Sequence, residues 1–154
     1  WDGLQLLNLS SSLIKYPDFS GIISGSVPLN LVFGDLIQVN SFALSQDQEK
    51  IQLFFDMQTL KKLEKDYYFF VHFYNEEGSL LFQGDFLPAG ALGAIRNWVP
   101  FKTVLVENTI PVPESARGKK GKIRVGIWHP LDGKNLRLKG SEETYFILSD
   151  WEIP

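Results

Sequence analysis

"YYFFVHFYNEEGSLLFQGDFLP", residues 67–88, holds six aromatics and a histidine in its first eight positions, then a polar turn ending in Gly78, then a second apolar run. Two short apolar runs separated by Asn75-Glu76-Glu77-Gly78 read as a β-hairpin. Successive side chains of a strand point to opposite faces. Tyr67, Phe69, Val71 and Phe73 then share one face, and Tyr68, Phe70, His72 and Tyr74 share the other. The first set is purely aromatic and aliphatic, so it is expected to face a core. The second is expected on an outer face, either beneath a covering loop at 87–101 or open to a ligand.

The chain on either side of this hairpin continues in the same style. Apolar runs at 4–10, 21–27, 27–35, 36–45, 50–57, 102–112, 122–130 and 144–153 are bounded by Gly, Pro, Asp and Asn, and "NLRLKG" at 135–140 adds a short one. Residues 36–45 alternate as Leu36, Gln38, Asn40, Phe42 against Ile37, Val39, Ser41, Ala43, and residues 123–128 as Ile123, Val125, Ile127 against Arg124, Gly126, Trp128. Helical periodicity is nearly missing. Only "DMQTLKKLEKD" at 56–66 sets Leu60 and Leu63 on one face, as one or two helical turns or as a polar loop. Parallel strands need helical crossovers, and none are available. The expected fold is therefore all-β: a two-sheet antiparallel β-sandwich, jelly-roll or immunoglobulin-like, with at most one short helix near 57–65.

With 154 residues the chain suits one domain, residues 1–154, and can bury a core without staples. It contains no cysteine, which removes disulfides, thiolate metal sites and a cysteine nucleophile together. The formal net charge of −3 gives no overall drive toward nucleic acid or an anionic membrane. No apolar run reaches the ~20 residues of a helical membrane span. The chain begins at Trp1, not Met, and is read as a piece of a longer protein.

Several residues are candidates for chemistry. His72, in mid-strand, needs a partner, and Asp85 is the natural one, although a simple hairpin places His72 opposite Leu81 and leaves Asp85 reachable only through a bulge or a shifted register. The pair reads as structural: a histidine hydrogen-bonded to a carboxylate, with no nucleophile beside it. Two histidines, His72 and His129, on different strands lack zinc spacing, and no "DxDxDG" run is present. No metal or other cofactor is expected; a structural calcium would draw on Asp35, Asp85 or Asp150. The basic stretch 117–139 contains no phosphate-binding loop and reads as a solvated hairpin whose lysines guard a sheet edge. Aromatic rings are the stronger lead. Sugar-binding sandwiches stack pyranose faces on Trp or Tyr and read hydroxyls with polar side chains. Tyr68, Tyr74, Trp98 and Trp128 are the candidate rings, with Arg96 and Asn97 beside Trp98.

An ordered set of motifs adds a resemblance. Gly34-Asp35, Asp66-Tyr67, Phe70-Val71-His72-Phe73, Glu77-Gly78, Gln83 and Asp85, Pro88 and Gly90, Trp98, Ile110 to Pro113, Val125 to Trp128, Gly133 and Arg137-Leu138 follow one another across residues 34–140. In that order they resemble a bacterial extracytoplasmic β-sandwich module of envelope proteins, often attached to multi-pass glycosyltransferases of the dolichyl-phosphate-mannose type. Gly84 after Gln83 and the run "AGALGAIRNW" depart from that pattern. The resemblance implies a sandwich fold, an extracytoplasmic location (periplasm or cell surface) and no particular reaction. The expected function is a non-catalytic envelope module, binding glycan through exposed aromatics. The alternative is a spacer packing on a neighbouring domain of the same protein. A glycan hydrolase would need two carboxylates ~5–9 Å apart, and nothing in the sequence forces such a pair together.

Overall fold

A computed structural model describes residues 26–154 apart from residue 92. The strands read at 4–10 and 21–27, except for the last two residues of the second, lie outside the described residues. In chain order the strands are β1 Val27–Phe33, β2 Ile37–Gln46, β3 Lys50–Thr59, β4 Tyr68–Asn75, β5 Leu80–Gln83, β6 Ala89–Gly90, β7 Gly93–Ala94, β8 Val104–Pro111, β9 Lys120–Trp128 and β10 Phe146–Glu152. Eight of them form two four-stranded antiparallel sheets, in the orders β1-β2-β3-β8 and β10-β9-β4-β5. The remaining two, β6 and β7, make a small ladder of their own. The fold is an all-β sandwich. β3 pairs with β8 in one sheet while β4 pairs with β9 in the other. These pairings are offset by the same number of strands, as in an immunoglobulin-like sandwich; a jelly roll would nest them.

The interior is filled by the inward rows of both sheets. Phe69, Val71 and Phe73 of β4 are fully buried, as are Ile51, Leu53, Phe55 and Met57 of β3. Phe73 stacks on Phe82 with centroids 4.2 Å apart, and Trp151 meets both rings edge-on. Across the sandwich Phe55 lies 4.8 Å from Phe69. Full burial of one such ring is worth roughly 1.5–3 kcal/mol. The hairpin turn closes as its residues predict: Asn75 accepts the Ser79 N–H on its side chain, and Gly78 takes φ 86°.

Two expectations change on contact with the structure, and one open alternative is decided. In β2 the register shifts between Val39 and Ser41, so the alternation reverses: Phe42 and Leu44 join Ile37 and Val39 on the core side. One extra residue is enough, because the side-chain period is two. Of the two readings of 56–66 the loop holds: residues 56–59 end β3 and residues 60–67 are a loop held by buried Leu63 and by Lys62, whose ammonium donates to the Arg96 carbonyl at 2.6 Å. The basic stretch does not guard an edge. Its strand, β9, is central, flanked by β4 and β10, and its lysines pair across strands: Lys122 with Asp150 at 2.5 Å and Lys120 with Glu76 at 4.0 Å.

Candidate functional site: an aromatic groove on the outer face of one sheet

β4 and β9 pair in one unbroken register, with Tyr68 opposite Trp128, Phe70 opposite Gly126, His72 opposite Arg124 and Tyr74 opposite Lys122. Ile123, Val125 and Ile127 face the core, so the other row of β9 joins the second aromatic row of β4 on one outer surface. Gly126 makes the close fit possible. A Cβ there would sit 2.2 Å from the Phe70 ring and 2.7 Å from the Thr144 carbonyl oxygen. Without that side chain the Phe70 ring and the chain at 144 can both close over the strand, and Phe70 is buried although it points away from the core.

The result is a shallow groove of about 440 Å³ lined by Phe70, His72, Tyr74, Gln83, Asp85, Arg124, Trp128, Asn135, Thr144 and Tyr145. Its rings are in contact: Tyr68 and Trp128 lie 5.1 Å apart and Phe70 and His72 4.7 Å apart. One wall comes from the segment between β9 and β10. The loop at 87–101 does not cover this face. It turns inward instead: Ile95 and Trp98 enter the core, and the Trp98 indole N–H donates to the Gly93 carbonyl at 3.0 Å.

His72 and Asp85 do meet. The register of β4 with β5 slips between Phe73 and Tyr74, so that Tyr74 faces Leu80 but Phe73 faces Phe82 and His72 faces Gln83. The shift carries the chain on to Phe86, which bonds Phe69, and sets Asp85 on the same face as His72. The carboxylate oxygen lies 3.4 Å from His72 Nε2 and accepts the Val71 N–H at 3.3 Å. Both side chains are 24% exposed. Burial holds the His72 pKa below its ordinary value; Asp85 pulls it upward less strongly, and the Arg124 charge adds to the lowering. The ring is therefore neutral at neutral pH. With its Nε2 proton toward Asp85, Nδ1 is left as an acceptor.

Arg124 occupies the middle of the groove. Its guanidinium carbon lies 4.2 Å from the Tyr74 ring centroid and 4.5 Å from that of Tyr145, over both faces. Among the described residues it has no carboxylate partner and no protein hydrogen-bond acceptor.

Of the sequence candidates, Tyr74 and Trp128 line the groove, Tyr68 borders it, and His72 and Asp85 form its polar contact. Arg96, Asn97 and Trp98 are elsewhere, in and after a 3-10 turn at Ile95–Asn97. Arg96 pairs with Asp66 at 3.6 Å, Asn97 is exposed, and Trp98 is 0% exposed, so this indole has no face to offer a ligand. It is a loop anchor and the binding role expected for it is corrected. His129 is also buried, its Nδ1 accepting the Leu131 N–H at 3.1 Å within a turn. Asp35, Asp85 and Asp150 do not converge, and among the described residues no three His or carboxylate side chains are grouped to hold a metal ion.

The residues missed in the sequence are Gln83, Arg124, Asn135, Thr144 and Tyr145; Phe70 was placed on this face, though not among the candidate rings. Alternation in β9 puts Arg124 on the same face as Trp128, which was a usable signal. That β9 lies beside β4, and that residues 135–145 return over it, has no local sequence mark. The chain matches no family model, no curated protein and no solved structure.

Proposed function

We propose that this domain is a non-catalytic carbohydrate-binding module that lays a sugar chain across the outer face of the β10-β9-β4-β5 sheet. The observation that carries the reading is the composition of the groove: Tyr74, Trp128 and Tyr145 beside His72, Gln83, Arg124 and Asn135. A pyranose has an apolar C–H face and a rim of hydroxyls. Aromatic rings held by sheet packing bury the first at little entropic cost, and fixed donors and acceptors orient the second. Of the lining residues only Asp85 carries a carboxylate, and it already accepts two contacts. The paired acid and base of a glycosidase have no counterpart among those side chains, which favours binding over hydrolysis. Placement in the cell envelope, outside the cytoplasm, rests on the resemblance of residues 34–140 alone. No cofactor and no nucleic-acid partner enter the proposal.

A glycan array tests it. Binding is expected to fall at least tenfold in Trp128→Ala while the melting temperature stays within a few degrees, since that ring lies outside the core. An array without hits at high protein density would sink the reading.

The spacer alternative draws on a different feature. Phe101 is 68% exposed at φ 66°, with Val99 exposed two residues before it. A bulky exposed residue in the left-handed region is an apolar contact point held at some cost. A longer chain in which Phe101 becomes protected from solvent on a neighbouring domain would support that reading.

A further inference from the structure

We infer that the glycan taken by this groove is acidic, and that Arg124 reads its oxyanion. This rests on the carbohydrate reading above and narrows it to a ligand class. Two lining side chains carry formal charge at neutral pH, Arg124 and Asp85, and they differ in what they already bond. Asp85 is engaged by the Val71 N–H and by His72. Among the described residues the Arg124 guanidinium is held by ring faces alone, those of Tyr74 and Tyr145. Ring faces fix a guanidinium in place while leaving the N–H donors around its edge unbonded. Those donors lie in a fork that matches the two oxygens of a carboxylate or phosphate. A neutral sugar offers the fork no charged acceptor; a uronic acid or a phosphorylated sugar does.

The neighbouring charges fit the same ligand. The Asp150 carboxylate is paired with Lys122, the next residue along the outer row, so it is offset and does not repel the ligand as a free anion. His72 is neutral and offers a hydroxyl partner, not a competing charge. Gln83, Asn135 and Thr144 are neutral groups suited to the remaining hydroxyls. Asp85 sits on the far side of His72 from the guanidinium pairing, on β5's end of the sheet, where it disfavours anions and so directs the acidic group toward Arg124.

The test uses three probes on the whole chain: an oligouronate, the same oligosaccharide after carboxyl reduction, and a sugar-phosphate oligomer. The oligouronate or the sugar phosphate is expected to bind at least tenfold more tightly than the reduced, neutral probe, and this preference should shrink with added salt. Arg124→Gln is expected to abolish the preference by weakening the acidic probe at least tenfold more than the neutral one. The Nε–Hε resonance of Arg124 in the unaltered chain should move on adding the acidic probe, so the result does not depend on the variant folding. Preference for the uronate over the phosphate, or the reverse, identifies the oxyanion and supports the proposal in either case. Equal binding of acidic and neutral probes, or an unmoved Arg124 resonance, overturns it while leaving the carbohydrate reading intact. Failure of these probes together with an empty array overturns both.

Discussion

The two faces of β4 make an instructive pair. Each carries aromatic side chains, yet the inward row, Phe69, Val71 and Phe73, is fully buried against rings and aliphatics of the opposite sheet, while the outward row meets a tryptophan, a glycine and a guanidinium. Residue type does not separate them. What separates them is what the neighbouring strand and the other sheet present. On the inner side Phe55 and Phe82 close the space. On the outer side Gly126 lets Phe70 settle, and among the described residues no second layer follows, so the remaining rings border a groove.

The contrast can be broken from either side. Phe73→Ala should have the largest effect, a loss of about 3–5 kcal/mol in denaturant unfolding, because it empties a site between Phe82 and Trp151. Tyr74→Ala, the next residue on the other face, should cost well under half of that. Equal losses would mean that the outer row is a second core. Gly126→Ala comes next. Its methyl must displace the Phe70 ring and meet a backbone oxygen, so a loss of about 1–3 kcal/mol is expected together with weaker glycan binding. A neutral outcome in both measurements would show that Phe70 has room to spare.

The smallest effect is electrostatic. Burial lowers the folded-state pKa of His72 below the ordinary 6.5. The unfolded chain then takes up a proton at a higher pH than the folded chain does. Stability is therefore complete above about pH 6.5 and declines as pH falls toward the folded-state value. His72→Gln removes that contribution, so its stability should vary less with pH across this window than that of the parent. Identical pH profiles would show that His72 is effectively solvated.

Much of this arrangement could be read from the chain. The hairpin at 67–88, the core row of β4 and the alternation of β9 follow from local pattern, and the all-β sandwich follows from them. Two kinds of information were not local. The bulge in β2 reversed which of its residues face inward, and a similar slip in β5 brought Asp85 to His72; neither is marked by Gly or Pro at the slip. The groove itself is assembled from β4, β9 and residues 135–145, and their adjacency is decided by how the sheets pair. Trp98 shows the converse error: a tryptophan in a long loop suggests a binding ring, but the loop folds inward and uses it as ballast.

The slip between β4 and β5 has a consequence for how this sequence can change. Leu81 is the supernumerary residue: Tyr74 faces Leu80 and Phe73 faces Phe82. Losing it would only close the slip and keep Asp85 beside His72, but deleting a paired residue just after it, Gln83 for example, would shift the following chain by one position, placing Asp85 opposite Val71 on the core side and Phe86 outside. The strand thus behaves like a reading frame. A single-residue deletion near an exposed turn, ordinarily among the mildest changes a protein accepts, would here exchange the addresses of a carboxylate and a phenyl ring. Two descendants of one ancestor, nearly identical along their length, could differ in whether the groove has an acidic wall at all.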